Sequence, residues 1–219
     1  MIFKQAIFDL DGTLLQTMDS LIKTGNLMLE QFGYQPRTFE EYRFMVGYGA
    51  KELIRRLLIL SGDKQAERLE EAYAIYMQLF DEYCTYQVKP YPGIPELIAE
   101  MQKREIVLAV LTNKPHQMTK RVLNTSFATD TFAFVQGQDA SLPRKPDPAA
   151  AFYIAEKIGV TDFRQVLFIG DSDADMQTAV NAGMVPVGAT WGFRTPEELI
   201  ANGCEILLEK PLDLLTYLD

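Results

Sequence analysis

Four short segments carry residue types whose spacing suits phosphoryl and metal chemistry. In FDLDGT, Asp9 and Asp11 stand one residue apart at the end of an apolar run, with Gly12 and Thr13 directly behind them. Residues i and i+2 of an extended chain project to the same side, so both carboxylates can face one point, one to attack and one to carry a proton. Gly12 lets the chain turn immediately afterwards. In VLAVLTNK, Thr112, Asn113 and Lys114 close a second apolar run and bring a hydroxyl and amides to a point where a helix is expected to begin, an arrangement that can hydrogen-bond phosphoryl oxygens. In LPRKPDP, Lys145 lies between Pro143 and Pro146 and supplies a point charge suited to phosphate. FIGDSDAD ends a third apolar run with Asp171, Asp173 and Asp175, carboxylates that repel one another unless a cation sits among them.

Each segment alone has an ordinary explanation. An Asp after a strand caps a helix, Thr-Asn makes a turn, Lys-Pro belongs to a solvated loop, and acidic clusters are common on surfaces. Placed together at the ends of separate strands of one sheet, they point instead to a site for phosphate and Mg²⁺.

The elements that must position these residues follow from periodicity. Residues 4–8 form the first strand. From 18 to 32, Met18, Leu21, Ile22, Met28, Leu29 and Phe32 recur at helical spacing, and Gly33 follows as a stop. A second helix opens at TFEE, where Thr38 caps and Glu41 reaches back; others run through AKELIRRLLIL and through Ala66, Leu69, Tyr73, Met77 and Phe80. Residues 15–88 thus read as consecutive helices without a strand. After KPYPG the pattern turns to strands at 106–111, 132–135, 165–170, 185–189 and 205–208, alternating with helices. Short apolar strands separated by helices indicate an α/β doubly wound, mostly parallel sheet covered on both faces. The expected division is a catalytic core of residues 1–14 and 89–219, interrupted by a helical cap over 15–88. Ligands of such sheets bind at the carboxyl ends of the strands, where the four segments stand.

Composition narrows the function classes. The 219 residues carry a net charge of −9 and no basic stripe interleaved with aromatics, so nucleic acid is not an expected partner. No apolar run approaches the ~20 residues needed to span a bilayer, and no signal-peptide pattern opens the chain, so a cytoplasmic setting without membrane contact is expected. Cys84 and Cys204, far apart and accompanied by a single histidine, argue against a disulfide framework or a zinc site.

In order and spacing, DLDGT, LTN, RKPDP and GDSDAD resemble the four motifs of the haloacid dehalogenase-type hydrolase superfamily, and the helical insert follows the first motif as it does there. The resemblance implies that Asp9 is the nucleophile and Asp11 the general acid/base, and that Thr112 and Lys145 hold the phosphoryl group. It also implies that Asp9, the backbone carbonyl of Asp11 and Asp171 bind Mg²⁺, with Asp175 joining directly or through water. Gly12, Thr13 and Asn113 become phosphate contacts, and the strand of the first motif becomes central in the sheet. Dehalogenases lack an acid at the position of Asp11, so phosphoryl chemistry is favoured.

VGYGAKELIRRLL, YPGIPELI and GATWGF are similar to the phosphoglycolate phosphatase subgroup. A 2-phosphoglycolate substrate needs a cation for its carboxylate, and Lys51, Arg55 and Arg56 on the insert are the expected candidates. The sequence departs from the subgroup at Gln16, Tyr48 and Asp173, which keeps a pyrophosphatase, a broad sugar-phosphate phosphatase and a phosphosugar mutase as alternatives. From another class, a phospho-acceptor or phosphate-binding regulatory protein also combines Asp, Thr and Lys at strand ends. His116 is expected at the surface where a helix starts, and Trp191 packed beside a loop. The expected partner is a small phosphorylated metabolite, and the expected assembly a monomer or homodimer.

Overall fold

A computed structural model describes residues 3–218 of the chain. The elements run β1 (Gln5–Phe8), β2 (Leu15–Gln16), α1 (Met18–Gln31), α2 (Phe39–Arg43), α3 (Ala50–Leu60), α4 (Leu69–Tyr83), β3 (Lys89–Pro90), α5 (Ile94–Lys103), β4 (Val107–Pro115), α6 (His116–Leu123), β5 (Phe134–Gln138), α7 (Ala149–Lys157), β6 (Val166–Gly170), α8 (Asp173–Ala182), β7 (Val185–Ala189), α9 (Pro196–Ala201) and β8 (Ile206–Leu208). Among the described residues, six strands form one parallel sheet in the order β5-β4-β1-β6-β7-β8, with β1 inside it.

The sheet is covered on both faces, as the uninterrupted apolar strands require. Successive residues of β1 divide between two hydrophobic clusters: Ala6 and Phe8 join the one that reaches α5 and the insert, and Ile7 joins the one beneath α7 and α8. Ala150, Ala151, Ile154 and Ala179 keep α7 and α8 close to that second face. Crossover connections between parallel strands bring the ends of β1, β4 and β6 to the same edge of the sheet.

The stretch between β2 and β3 is helical, with α1 packed on α4 through Leu21, Met28, Tyr76 and Phe80. Its two connections to the sheet are not plain coil. Leu15 pairs with Pro90 and Gln16 with Lys89 in an antiparallel ribbon, and Gln16 Nε2 donates to Pro90 O at 3.4 Å. A ribbon of two residues has no period to read, and the expectation of a strand-free 15–88 is corrected there.

Two more boundaries differ from expectation. Strand β4 continues through Thr112, Asn113 and Lys114 to Pro115, with a register shift between Leu111 and Pro115, so these residues are strand and not the exposed start of a helix. Strand β5 begins at Phe134, two residues later than its apolar run, and Phe132 is buried ahead of the ladder. No helix among the described residues is long and apolar enough to cross a membrane.

Candidate active site

The loop after β1 is wound on a single carbonyl. Leu10 O accepts from the amides of Thr13, Leu14 and Leu15 at 3.3, 3.1 and 3.0 Å, and Gly12 takes φ +91°. A Cβ at Gly12 would collide with the Asp171 carboxylate and the Phe193 ring, so any larger residue there would push the two motifs apart. Asp9 N donates to Ile169 O at 2.8 Å, which registers the end of β1 against the end of β6.

Lys145 ties the strand ends together. Its Nζ donates to Asp9 Oδ1 at 2.6 Å, Asp175 Oδ1 at 2.6 Å and Leu111 O at 3.0 Å, which uses all three ammonium hydrogens. Burial opposes the charge, but Asp175 and Asp9 outweigh it and hold the ammonium above the usual lysine range. Asn113 fixes the loop that delivers Lys145: its Oδ1 accepts from Lys145 N at 2.9 Å, and its Nδ2 donates to Lys145 O and Gly47 O at 3.1 and 2.8 Å. Its side-chain amide is therefore committed to the protein, with no side-chain donor left for a phosphate. The Thr13 side chain is committed in the same way. Its hydroxyl donates to Asp171 Oδ1 at 3.1 Å while Phe193 N donates to Asp171 Oδ2 at 2.8 Å, so Thr13 positions a carboxylate, with Gly12 making room for it.

Asp9, Asp171 and Asp175 are all buried, and each offers a carboxylate oxygen within 4.8 Å of those of the other two. Burial, reinforced by Asp175 and Asp171 and partly offset by Lys145, pushes Asp9 well above the usual carboxylate range. Burial and the neighbouring Asp175 push Asp171 up to about 7. One ammonium does not balance three buried carboxylates, and a donor set made only of carboxylate oxygens suits a hard divalent cation such as Mg²⁺. Within the triad Asp175 has the least spare capacity. Its Oδ1 holds Lys145, and its Oδ2 accepts from Ser172 N at 3.0 Å and Ser172 Oγ at 2.5 Å in the cap of α8. Asp9 Oδ2 has no hydrogen-bond partner among the described residues.

Asp9, Asp11, Thr112, Lys145 and Asp171 line one small cavity, with about 40 Å³ of water-accessible space, closed over by Leu21, Val46, Leu53, Tyr76 and Phe80 of the insert. Lys114 also lines it. That residue carries no assigned role in the sequence, where a lysine after a strand is ordinarily solvated, yet its side chain is 1% exposed and its Nζ donates to Asp11 Oδ1 at 3.0 Å.

The three insert cations are elsewhere. Lys51 Nζ pairs with Glu70 at 2.6 Å, and Arg55 and Arg56 both grip Glu52, at 2.6 and 2.7 Å; none lines the cavity. Leu53, Ile54, Leu57 and Leu58 form the buried stripe of α3, which leaves its cations on the other faces. Their charge is thus engaged away from the cavity where a substrate carboxylate was expected to meet it. His116 does begin α6, where its Nδ1 accepts from Gly137 N at 3.1 Å, and Trp191 Nε1 donates to Thr13 O at 3.0 Å beside the first loop.

A seam of hydrogen bonds joins the loop before α3 to the sheet side. Arg194 donates to Arg43 O at 2.6 Å and Val46 O at 2.9 Å, Arg43 Nε donates to Phe193 O at 2.6 Å, and Arg144 donates to Tyr48 O at 2.9 Å. Asp173 faces this seam, where its carboxylate accepts from the Tyr48 hydroxyl.

The sequence model of the family described as haloacid dehalogenase-like hydrolase matches residues 6–189. The chain belongs to the haloacid dehalogenase-like hydrolases. It is 33% identical over 206 residues to a phosphoglycolate phosphatase of Pseudomonas putida, covering 93% of this chain and 75% of that protein. It is 29% identical over 217 residues to an N-acetylmuramic acid 6-phosphate phosphatase of Pseudomonas aeruginosa, covering 99% of this chain and 95% of that one. Among solved structures, CbbY from Rhodobacter sphaeroides in complex with xylulose-(1,5)bisphosphate superposes with a TM-score of 0.82 at 26% identity, covering 100% of both chains. A haloacid dehalogenase-like hydrolase from Streptococcus pneumoniae shares the fold, with a TM-score of 0.88 at 21% identity over 99% of both chains. In this haloacid dehalogenase-like hydrolase, residues of the DLDGT, LTN, RKPDP and GDSDAD segments line one cavity.

Proposed function

We propose that this protein is a Mg²⁺-dependent phosphatase that hydrolyses 2-phosphoglycolate to glycolate and inorganic phosphate through an aspartyl-phosphate on Asp9. The observation that supports this reading is the free Oδ2 of Asp9 at a buried cavity that Asp11, Thr112 and Lys145 also line. Asp9, Asp171 and the Asp11 carbonyl would hold Mg²⁺, backed by Asp175, and the cation would relieve the repulsion between a carboxylate nucleophile and a phosphate dianion.

Asp9 attacks phosphorus in line, and the bond from phosphorus to the glycolate oxygen breaks as the new P–O bond forms. Asp11 gives its proton to the leaving oxygen and then takes one from the water that attacks the aspartyl-phosphate, which releases phosphate and regenerates Asp9. The Thr112 hydroxyl meets the phosphoryl oxygens directly, and Lys145, whose three hydrogens are taken, acts on them through its charge, so the protein contributes mainly placement and electrostatics. The helices over 15–88 act as the cap: their apolar side chains exclude bulk water, and the β2–β3 ribbon is the hinge region.

A small enclosure, apolar on its insert side, suits a two-carbon alcohol better than a sugar, and the relative from Pseudomonas putida is named for this substrate. The proposed setting is the cytoplasm, with a monomer or homodimer as the working form. The test is phosphate release from a panel of 2-phosphoglycolate, pyrophosphate, a hexose phosphate and N-acetylmuramic acid 6-phosphate, with Mg²⁺ and with chelator. The highest kcat/KM is expected for 2-phosphoglycolate, with none in chelator. A preference for a sugar phosphate would transfer the substrate assignment to that class, and no Mg²⁺-dependent turnover of any ester would leave a phosphate-binding regulatory protein.

A further inference from the structure

The mechanism above leaves two buried donors unused, and both line the cavity. Lys114 Nζ has one hydrogen-bond partner, Asp11 Oδ1 at 3.0 Å, so two of its three hydrogens have none among the described residues. The Tyr76 hydroxyl is fully buried and has no hydrogen-bond partner among the described residues. Burial holds this phenol well above its usual range, so it stays a donor at neutral pH. The two groups flank one ring: Lys114 Nζ lies 4.6 Å from the centroid of Phe80, and the Tyr76 ring 5.3 Å from it. Buried donors without acceptors are costly and are normally satisfied by a ligand or ordered water, and both residues line the cavity that Asp9, Asp11, Thr112 and Lys145 share.

We infer that Lys114 and Tyr76 form the subsite for a carboxylate on the alcohol portion of the substrate, which makes them the specificity-determining pair of this enzyme. The inference rests on the phosphatase reading and deepens it. Lys145 is saturated by Asp9, Asp175 and Leu111 O, so among the described residues Lys114 is the one cation lining the cavity with hydrogens to spare. A carboxylate accepts from an ammonium and a phenol together, whereas Leu21, Val46 and Leu53 offer nothing to the hydroxyls of a sugar. A second phosphate would bring two charges into a site where Asp9, Asp11, Asp171 and Asp175 already outnumber the two lysines. The substrate class is therefore a phosphate monoester of a short hydroxy acid.

The test compares kcat/KM for 2-phosphoglycolate with that for ethyl phosphate, which has the same carbon count and no carboxylate, in wild type, Lys114→Met, Lys114→Arg and Tyr76→Phe. Both esters need Asp11, so their ratio cancels any loss that reaches the reaction through the Lys114–Asp11 contact. The ratio should fall by about 10- to 100-fold in Lys114→Met, the scale of a lost charged hydrogen bond, and by about 3- to 10-fold in Tyr76→Phe, with Lys114→Arg recovering part of it. Tyr76→Phe keeps the ring packed against Phe80, so it remains informative even if Lys114→Met fails to fold. An unchanged ratio in Tyr76→Phe and in whichever Lys114 variants fold overturns the subsite while leaving the phosphatase reading intact. No turnover of either ester by wild type overturns that reading and the subsite with it.

Discussion

The Tyr48 hydroxyl donates a hydrogen bond to Asp173 Oδ2, joining the loop before α3 to the first turn of α8. These are two of the three positions at which the sequence departs from the subgroup it resembles, and the fold sets them against each other. Asp173 therefore does not crowd the cation site. Its second oxygen stands 3.8 Å from Arg194 Nε, in the seam that holds the insert over the sheet edge.

If that contact helps hold the cap shut, the two residues must act as a unit. In a double-mutant cycle of Tyr48→Phe and Asp173→Ala, read as kcat/KM for 2-phosphoglycolate, the double variant should lose less than the singles combined, with a coupling of about 0.5–3 kcal/mol. Additive losses would show that the hydrogen bond contributes nothing to closure.

Lys145 pairs with two carboxylates at once, at 2.6 Å each. Lys145→Ala should lower kcat by more than ~100-fold, the scale of removing one electrostatic donor. It should also destabilise the Mg²⁺-free protein by about 3–5 kcal/mol, because Asp9 and Asp175 are left buried without their cation. Turnover assays and denaturant unfolding measure the two effects separately, and a change confined to KM would contradict the role.

The acidic triad should make thermal stability respond to Mg²⁺. At a concentration about 100-fold above Kd, binding adds about 2.7 kcal/mol, which for a chain of this size is a rise in Tm of about 5–10 °C. Asp171→Asn should remove most of that rise while leaving the protein folded. A variant that retained the full shift would show that Asp171 does not hold the cation.

Lys51 and Arg55 are engaged with Glu70 and Glu52 outside the cavity. Lys51→Ala and Arg55→Ala should therefore change KM for 2-phosphoglycolate by less than about twofold, as expected of exposed positions. A rise of tenfold or more in either variant would return the substrate carboxylate to the face of α3 that carries these cations.

Much of this was legible in the sequence because buried parallel strands are written as apolar runs. The polar residue that ends such a run marks a strand end, so Asp9 and Asp171 could be placed before any coordinates. What a polar side chain bonds to is not encoded in its type. Thr13 and Asn113 have the donors a phosphate needs, and both spend them on Asp171, Gly47 and the Lys145 backbone. Lys114 was hidden for the opposite reason: a lysine beyond a strand signals solvent, and only the α4 ring of Phe80 above it and Asp11 beside it make it a buried ion. On α3 the stripe of Leu53, Ile54, Leu57 and Leu58 already implied which side faced inward, whereas the engagement of Lys51 with Glu70 and of Arg55 with Glu52 is not encoded in their types.

The nucleophilic role of Asp9 is tested most directly by quenching the enzyme with acid during turnover of 2-phosphoglycolate in Mg²⁺ and locating phosphate by peptide mass spectrometry. A phosphoryl group should be found on the peptide that carries Asp9, and Asp9→Asn should show no adduct and a turnover at least ~10⁴-fold lower. Near-wild-type phosphate release by Asp9→Asn, with no phosphorylated peptide in either protein, would contradict it.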